Sequence, residues 1–195
     1  RKIVEDKILE KIKSENIVTV NGASGNGKST LMAKLSKRIA KDKKSIILFS
    51  SLTSRTTSAN GIMKIITEYI NESLEEDKGL DIPSDETVEE LDEAEEFALS
   101  TKNTNDRTQE EKLYEQALRD YFNYGDEEMI ILIDAIDQLD NPRAVEELIR
   151  PINFENRSKI KFIISYLEED KRKDEFIFLN DYKTYTLTEL SKADK

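Results

Sequence analysis

The chain has 195 residues, enough for one well-buried domain and few for two. It contains no cysteine and no histidine, which excludes disulfides, thiol chemistry, imidazole bases and zinc sites built on either residue. Hydrophobic residues make up 37% and charged residues 36%, and no apolar run approaches the roughly 20 residues of a membrane helix, so a soluble globular protein is expected.

Any chemistry must therefore run on carboxylates, lysine, hydroxyls, backbone amides and a hard cation. The missing cysteines fit a reducing, cytoplasmic setting. The net charge of −11 is unevenly spread: residues 72–128 hold 21 acidic against 5 basic side chains, a net of −16, which leaves +5 on the rest. Such a block reads as a solvated helical segment. No signal-peptide pattern is present. Because the chain starts at Arg1 and not at methionine, a piece of a longer protein is expected.

In chain order, "RKIVEDKILEKIKSE" places Ile3, Val4, Ile8 and Ile12 near helical spacing, which predicts a short amphipathic helix. Residues 16–20, "NIVTV", form a β-branched run, a buried strand, and lead into the glycine-rich "NGASGNGKST". The next helix carries Leu31, Met32, Leu35 and Ile39 on one face. "SIILFSS", residues 45–51, reads as a second buried strand. After the polar loop "LTSRTTSAN" a helix is predicted over about 62–74, with Ile62, Ile65, Ile66, Tyr69 and Ile70 inward.

Within the acidic block, "VEELDEAEEFA" and "EEKLYEQALRDYF" both show helical periodicity, joined by the exposed linker "STKNTNDR". The second carries the stripe Leu113, Tyr114, Ala117, Leu118, Tyr121 and Phe122, and Thr108 with Glu111 is a capping-box signature. "MIILID" is a third strand. "NPRAVEELIR" predicts a helix with Asn141 as N-cap and Pro142 at the first helical position, and Asp140 beside them as a cap. "KIKFIISY" and "KTYTLTEL" are the fourth and fifth strands, and "LTELSKADK" leads towards a further helix. Continuous apolar strands alternating with helices indicate an α/β fold with a parallel sheet covered on both faces.

Gly22-Ala23-Ser24-Gly25-Asn26-Gly27-Lys28-Ser29 fits G-x-x-x-x-G-K-[ST] in the strand-to-helix context the motif requires. The glycines let the backbone wrap so that successive N–H groups point inward as an anion nest, and the helix behind adds its positive end. Lys28 is then placed to reach the β and γ phosphates of a nucleotide, Ser29 to coordinate Mg²⁺, and Thr30 to bond the α-phosphate. Asp134 closes "MIILID" at the carboxyl end of its strand, where ligands of parallel sheets gather, and is the second expected partner of the metal. Asp137 is read either as the group that orients a water at the γ-phosphate or as a local turn cap; Gln138 shares the first of these readings.

The stretches "VTVNGASGNGKSTLMAKL", "IILFSSLTSRTTS" and "MIILIDAIDQLD" together resemble the P-loop NTPases, specifically the additional-strand group and within it the NACHT-like STAND ATPases. Ala135 after the metal aspartate, with an acid at Asp137, is that family's form of the acidic strand. The resemblance implies a three-layer fold with a five-stranded parallel sheet, here with the acidic helical insertion of about 72–128 before the acidic strand. It implies one nucleotide-binding domain over 1–195, with a helical or winged-helix lid beyond it. It further implies ATP and Mg²⁺ as ligands, slow hydrolysis, and a signalling switch that changes conformation or self-associates through flanking domains.

Two departures bear on rate. The fourth strand ends Ile164-Ser165-Tyr166 where relatives often have Thr-Ser-Arg, leaving Ser165 to contact the γ-phosphate region without the arginine. Ala135 and Gln138 stand for the commoner glycine and glutamate. The guanine-specifying Asn-Lys-x-Asp is absent, which favours ATP. Arg55 reads as a solvated loop residue, and Arg143, Arg150 and Arg157 as helix-surface ion-pair residues. The alternative function is an AAA+-like ATPase acting on nucleic acid, though the charge balance does not indicate nucleic acid as a partner, and no membrane partner is expected.

Overall fold

The computed structural model describes residues 2–78, 108–141, 144–153, 159–167, 178–179 and 181–187, and in it the apolar runs join one parallel sheet. Its strands are β1 (Ile17–Gly22), β2 (Lys44–Phe49), β3 (Met129–Asp134), β4 (Ile160–Leu167) and β5 (Lys183–Leu187). Their order across the sheet is β2-β3-β4-β1-β5, and every neighbouring pair is parallel. The strand β4 thus lies between the glycine-loop strand and the acidic strand, which is the additional-strand arrangement.

Helices cover both faces. Successive side chains on a strand point to opposite sides, so β3 sends Ile130 and Leu132 to the cluster under α1 (Lys2–Ser14) and α2 (Lys28–Ile39). It sends Ile131 and Ile133 to the cluster under α3 (Ala59–Lys78), α4 (Gln109–Tyr124) and α5 (Val145–Asn153). Both sets are fully buried, and each such side chain contributes about 1.5–3 kcal/mol relative to an exposed one. Three layers result from this alternation. No helix among the described residues is long and apolar enough to cross a membrane.

Several local expectations are revised. The helix α1 buries Ile8 and Ile12 but leaves Ile3 69% exposed, and α4 buries Tyr114, Ala117, Leu118 and Tyr121 but leaves Leu113 54% exposed. The strand β2 is half-buried because it is a sheet edge, with one neighbouring strand among the described residues. The helix α3 runs beyond both predicted ends. The capping box of α4 is present: Glu111 N–H donates to Thr108 Oγ at 3.2 Å, and Thr108 N–H to the Glu111 carboxylate at 3.1 Å.

The helix α5 starts at Val145, so neither Asp140 nor Asn141 stands at its cap. The Asp140 N–H instead donates to Thr57 O at 3.0 Å, which ties this turn to the loop after β2. Arg150 pairs with Glu147 and Glu146 on the helix surface, as its position suggested. Pro142, Arg143 and Arg157, the predicted helix at 88–98, the linker at 100–107 and the chain after Leu187 lie outside the described residues.

At the foot of the sheet, away from the glycine loop, a lysine is buried. Lys161 on β4 is 5% exposed, and its Nζ donates to Ile12 O at 2.7 Å, to Lys13 O at 3.1 Å and to Glu128 Oε2 at 2.9 Å. The cation sits where the last carbonyls of α1 lack helical partners and the helix end is negative. Glu128 also holds Lys43. Burial alone would push the Glu128 carboxyl up, but hydrogen bonds from Lys43 and Lys161 hold it below the usual carboxylate range. A depressed folded-state pKa contributes stability above the unfolded value, about 4.3, and that contribution is lost as pH falls through the folded pKa. The difference in urea midpoint between wild type and Glu128→Gln is therefore expected to hold at pH 6 and to shrink below about pH 4.

Candidate functional site

The carboxyl ends of β2 and β3 meet the start of α2 at one cleft. The glycine loop leaves β1 at Gly22, and α2 begins at Lys28 with Gly27 as its N-cap, held at φ 74°, ψ 38°. That left-handed conformation is one a glycine adopts without cost and a residue with a Cβ resists. Gly22 is needed for a different reason: a Cβ there would stand 2.7 Å from Leu187 O on β5. The loop's middle is open, since a Cβ on Gly25 would meet nothing within 4 Å. Asn26 is buried and donates from Nδ2 to Leu187 O at 2.9 Å.

Lys28 folds back over the loop, its Nζ donating to Gly22 O at 2.8 Å and to Ala23 O at 3.1 Å. Partial burial pushes this ammonium below the ordinary lysine range, while the negative fields of Asp137 and Asp134 act in the opposite direction. Lys28 is thus a partly desolvated cation facing two acids, with two of its three hydrogens committed to loop carbonyls. Ala23, Ser24, Ser29 and Thr30 are exposed around it.

A cleft of about 360 Å³ opens beside the loop, lined by Ser29, Phe49, Ser50, Ser51, Leu52, Asp134, Ala135 and Gln138. Its size lies at the lower end of small-molecule sites. Asp134 is only 2% exposed, and its Oδ1 accepts the hydroxyl hydrogen of Ser165. Ser165 is itself fully buried and also accepts the Ala135 N–H at 2.9 Å. Asp137 lies in a 3-10 turn, Ile136–Gln138, and takes the Leu167 N–H onto Oδ1 at 2.8 Å. Its carboxylate therefore clasps the end of β4 and does not serve as a purely local turn cap. Gln138 is exposed, and its backbone carbonyl accepts from Ser51 Oγ at 2.6 Å.

Two non-glycine residues at this cleft have positive φ, Ser51 at 59° and Ala135 at 58°. Strained backbone of this kind clusters where a fold fixes functional groups. Arg55, read as solvated, is in fact paired with Glu68 on α3 at 2.6 Å, both side chains about half exposed. Phe49 and Ser50 escaped the sequence reading, whereas the loop from Ser51 to Ser58 was expected at the mouth of the site. The only signal for Phe49 and Ser50 was their place at the end of an apolar strand next to the acidic one, which requires the strand order to interpret. The Ser50 hydroxyl is buried with no hydrogen-bond partner among the described residues.

A second cavity of about 310 Å³ opens between α1 and the end of α2, over Leu9, Ile12, Ile39 and Ile130. It lies at the foot of the sheet and contains none of the residues singled out by the motifs.

Residues 3–165 match the family model described as Nephrocystin 3, N-terminal. No curated protein matches the chain. Among solved structures it resembles Drosophila ORC bound to AT-rich DNA and Cdc6, with 9% identity and a TM-score of 0.52 over 97% of this chain and 57% of that one. AMPPCP-bound DnaA from Aquifex aeolicus aligns at 11% identity and TM-score 0.44, over 95% and 44% of the two chains. The C. elegans PCH-2 structure aligns at 15% and 0.44, over 97% and 40%. The chain thus spans little more than half of the first of these and less than half of the others; at such identities the likeness to ORC speaks for the fold alone. With most of its length under the family model, a parallel sheet in the additional-strand order and a complete glycine loop, the chain belongs to the Nephrocystin 3 N-terminal family and is a P-loop NTPase.

Proposed function

We propose that this domain binds ATP with Mg²⁺ and hydrolyses it slowly, as the nucleotide core of a NACHT-like signalling switch. One observation carries the reading: Ser29 of the glycine loop and the buried Asp134 of the acidic strand line the same cleft. Hard cations take oxygen ligands and keep several waters, so one hydroxyl and one carboxylate next to a phosphate nest suit Mg²⁺. The donor set fits, and the partnerless Ser50 hydroxyl adds a polar group that a hydrated ligand would satisfy.

In this reading the loop amides and Lys28 hold the phosphates, while Ser29 and Asp134 hold the metal. The metal, when bound, supplies charge neutralisation at the β and γ oxygens. Asp137 and Gln138 flank the route of an attacking water. Asp137 holds Leu167 N–H through Oδ1, which fixes the direction of its carboxylate. Gln138 in place of a glutamate supplies no base. The missing glutamate favours slow turnover. Contacts to the γ-phosphate exist only in the triphosphate state, which is the differential affinity a switch needs. The coupled output is self-association or a partner protein engaged through flanking domains, in a cytoplasmic setting.

The test is calorimetric titration with ATP and ADP, with and without Mg²⁺, followed by single-turnover hydrolysis. Magnesium-dependent binding is expected, with turnover that drops about 10²–10³-fold in Asp137→Asn, the scale of a lost general-base or water-positioning group. Undiminished hydrolysis in Asp137→Asn removes that residue from the chemistry; absent nucleotide binding removes the whole reading.

A further inference from the structure

Ser165 occupies the position from which the fourth strand was expected to touch the γ-phosphate, but its bonding points elsewhere. The side chain is 0% exposed and does not line the cleft. A serine hydroxyl has a single hydrogen, and here that hydrogen goes to Asp134 Oδ1. The oxygen's other bond is received from the Ala135 N–H at 2.9 Å. A phosphate oxygen is an acceptor, so Ser165 could serve it only by releasing Asp134. That release would strip a buried carboxylate of a charge-assisted hydrogen bond.

The Ala135 amide carries a second constraint. Ala135 has φ 58°, a conformation that a residue with a Cβ avoids unless held there. Its N–H bond to Ser165 is one such hold. Two residues further along β4, Leu167 N–H holds Asp137 at 2.8 Å. The end of β4 therefore sets the direction of both acids of "IDAID", one through a hydroxyl and one through a backbone amide.

We infer that Ser165 is a positioning residue for the metal, acting through Asp134, and not a contact to the terminal phosphate. This rests on the ATPase reading above. Partners that orient a metal-binding carboxylate typically change metal affinity 10–100-fold when removed.

The experiment titrates ATP and ADP into wild type, Ser165→Ala and Ser165→Thr, each in excess Mg²⁺ and in EDTA. In Ser165→Ala the magnesium-dependent tightening is expected to fall at least tenfold for both nucleotides, with affinities in EDTA unchanged, and the threonine hydroxyl is expected to restore it. A loss confined to ATP and persisting in EDTA would overturn the inference in favour of a phosphate contact. Equal affinities for wild type and Ser165→Ala under all conditions would overturn it in favour of a packing role. If wild type itself gains nothing from Mg²⁺, the ATPase reading fails and takes this inference with it. Should the alanine variant not fold, Ser165→Cys keeps the volume with a poorer donor and reads the same partition between the Mg²⁺ and EDTA arms.

Discussion

Lys28→Ala is expected to weaken ATP binding by about a hundredfold or more, while leaving the domain folded. Hydrogen bonds from a charged group contribute about 1.5–3 kcal/mol each, and Lys28 serves two ends at once. Its Nζ bonds Gly22 O and Ala23 O, so it braces the loop that would wrap the phosphates. Its charge would face the ligand. Loss of the side chain removes both the brace and the charge. The cost to the empty fold is expected to be small by comparison, because partial burial already disfavours this ammonium and water can replace it at the exposed Ala23 carbonyl. Calorimetry and a denaturant curve on the same preparation separate the two. Undiminished affinity would show that the loop does not use Lys28 for nucleotide.

Lys161→Met has the opposite profile, a large loss of stability with nucleotide affinity retained. The buried Nζ supplies three bonds, two to the last carbonyls of α1 and one to Glu128. Breaking a buried pair by removing one partner costs about 3–5 kcal/mol. Glu128 keeps Lys43 and some solvent contact, so about 3 kcal/mol is expected, read as a fall in the urea midpoint at unchanged slope. Against total stabilities of about 5–15 kcal/mol this is a large fraction. The double variant Glu128→Gln/Lys161→Met should recover part of it, because the stranded carboxylate is gone. Strict additivity of the two single changes would mean that the ion pair carries no coupling.

The features legible in the sequence were those whose cause is local. "MIILID" is a strand because six consecutive apolar or strand-ending residues leave no other option, and it is found at Met129–Asp134. The glycine loop and the Thr108–Glu111 capping box are patterns written within a few residues of each other. Lys161 was invisible inside "KIKFIISY", because its partners Ile12 and Glu128 are brought to it only by the sheet order. Ser165 was read as facing the cleft for the same reason: its hydrogen bond to Asp134 spans 31 positions. Asp140 and Asn141 looked like a helix start because Asn-Pro is strong local punctuation, yet Asp140 N–H is claimed by Thr57 from another loop. The edge position of β2, and with it the exposure of that strand, follows only from the pairing order.

One carbonyl, Leu187 O, is gripped from two sides by the glycine loop. Asn26 Nδ2 bonds it at 2.9 Å, and Gly22 approaches so closely that no side chain fits between them. The loop is in effect hinged on the last residue of β5. It cannot tighten its curvature without either dragging that residue or snapping the Asn26 bond. Leu187 is thereby fixed to the glycine loop, so a change in the loop's curvature would act first on the end of β5.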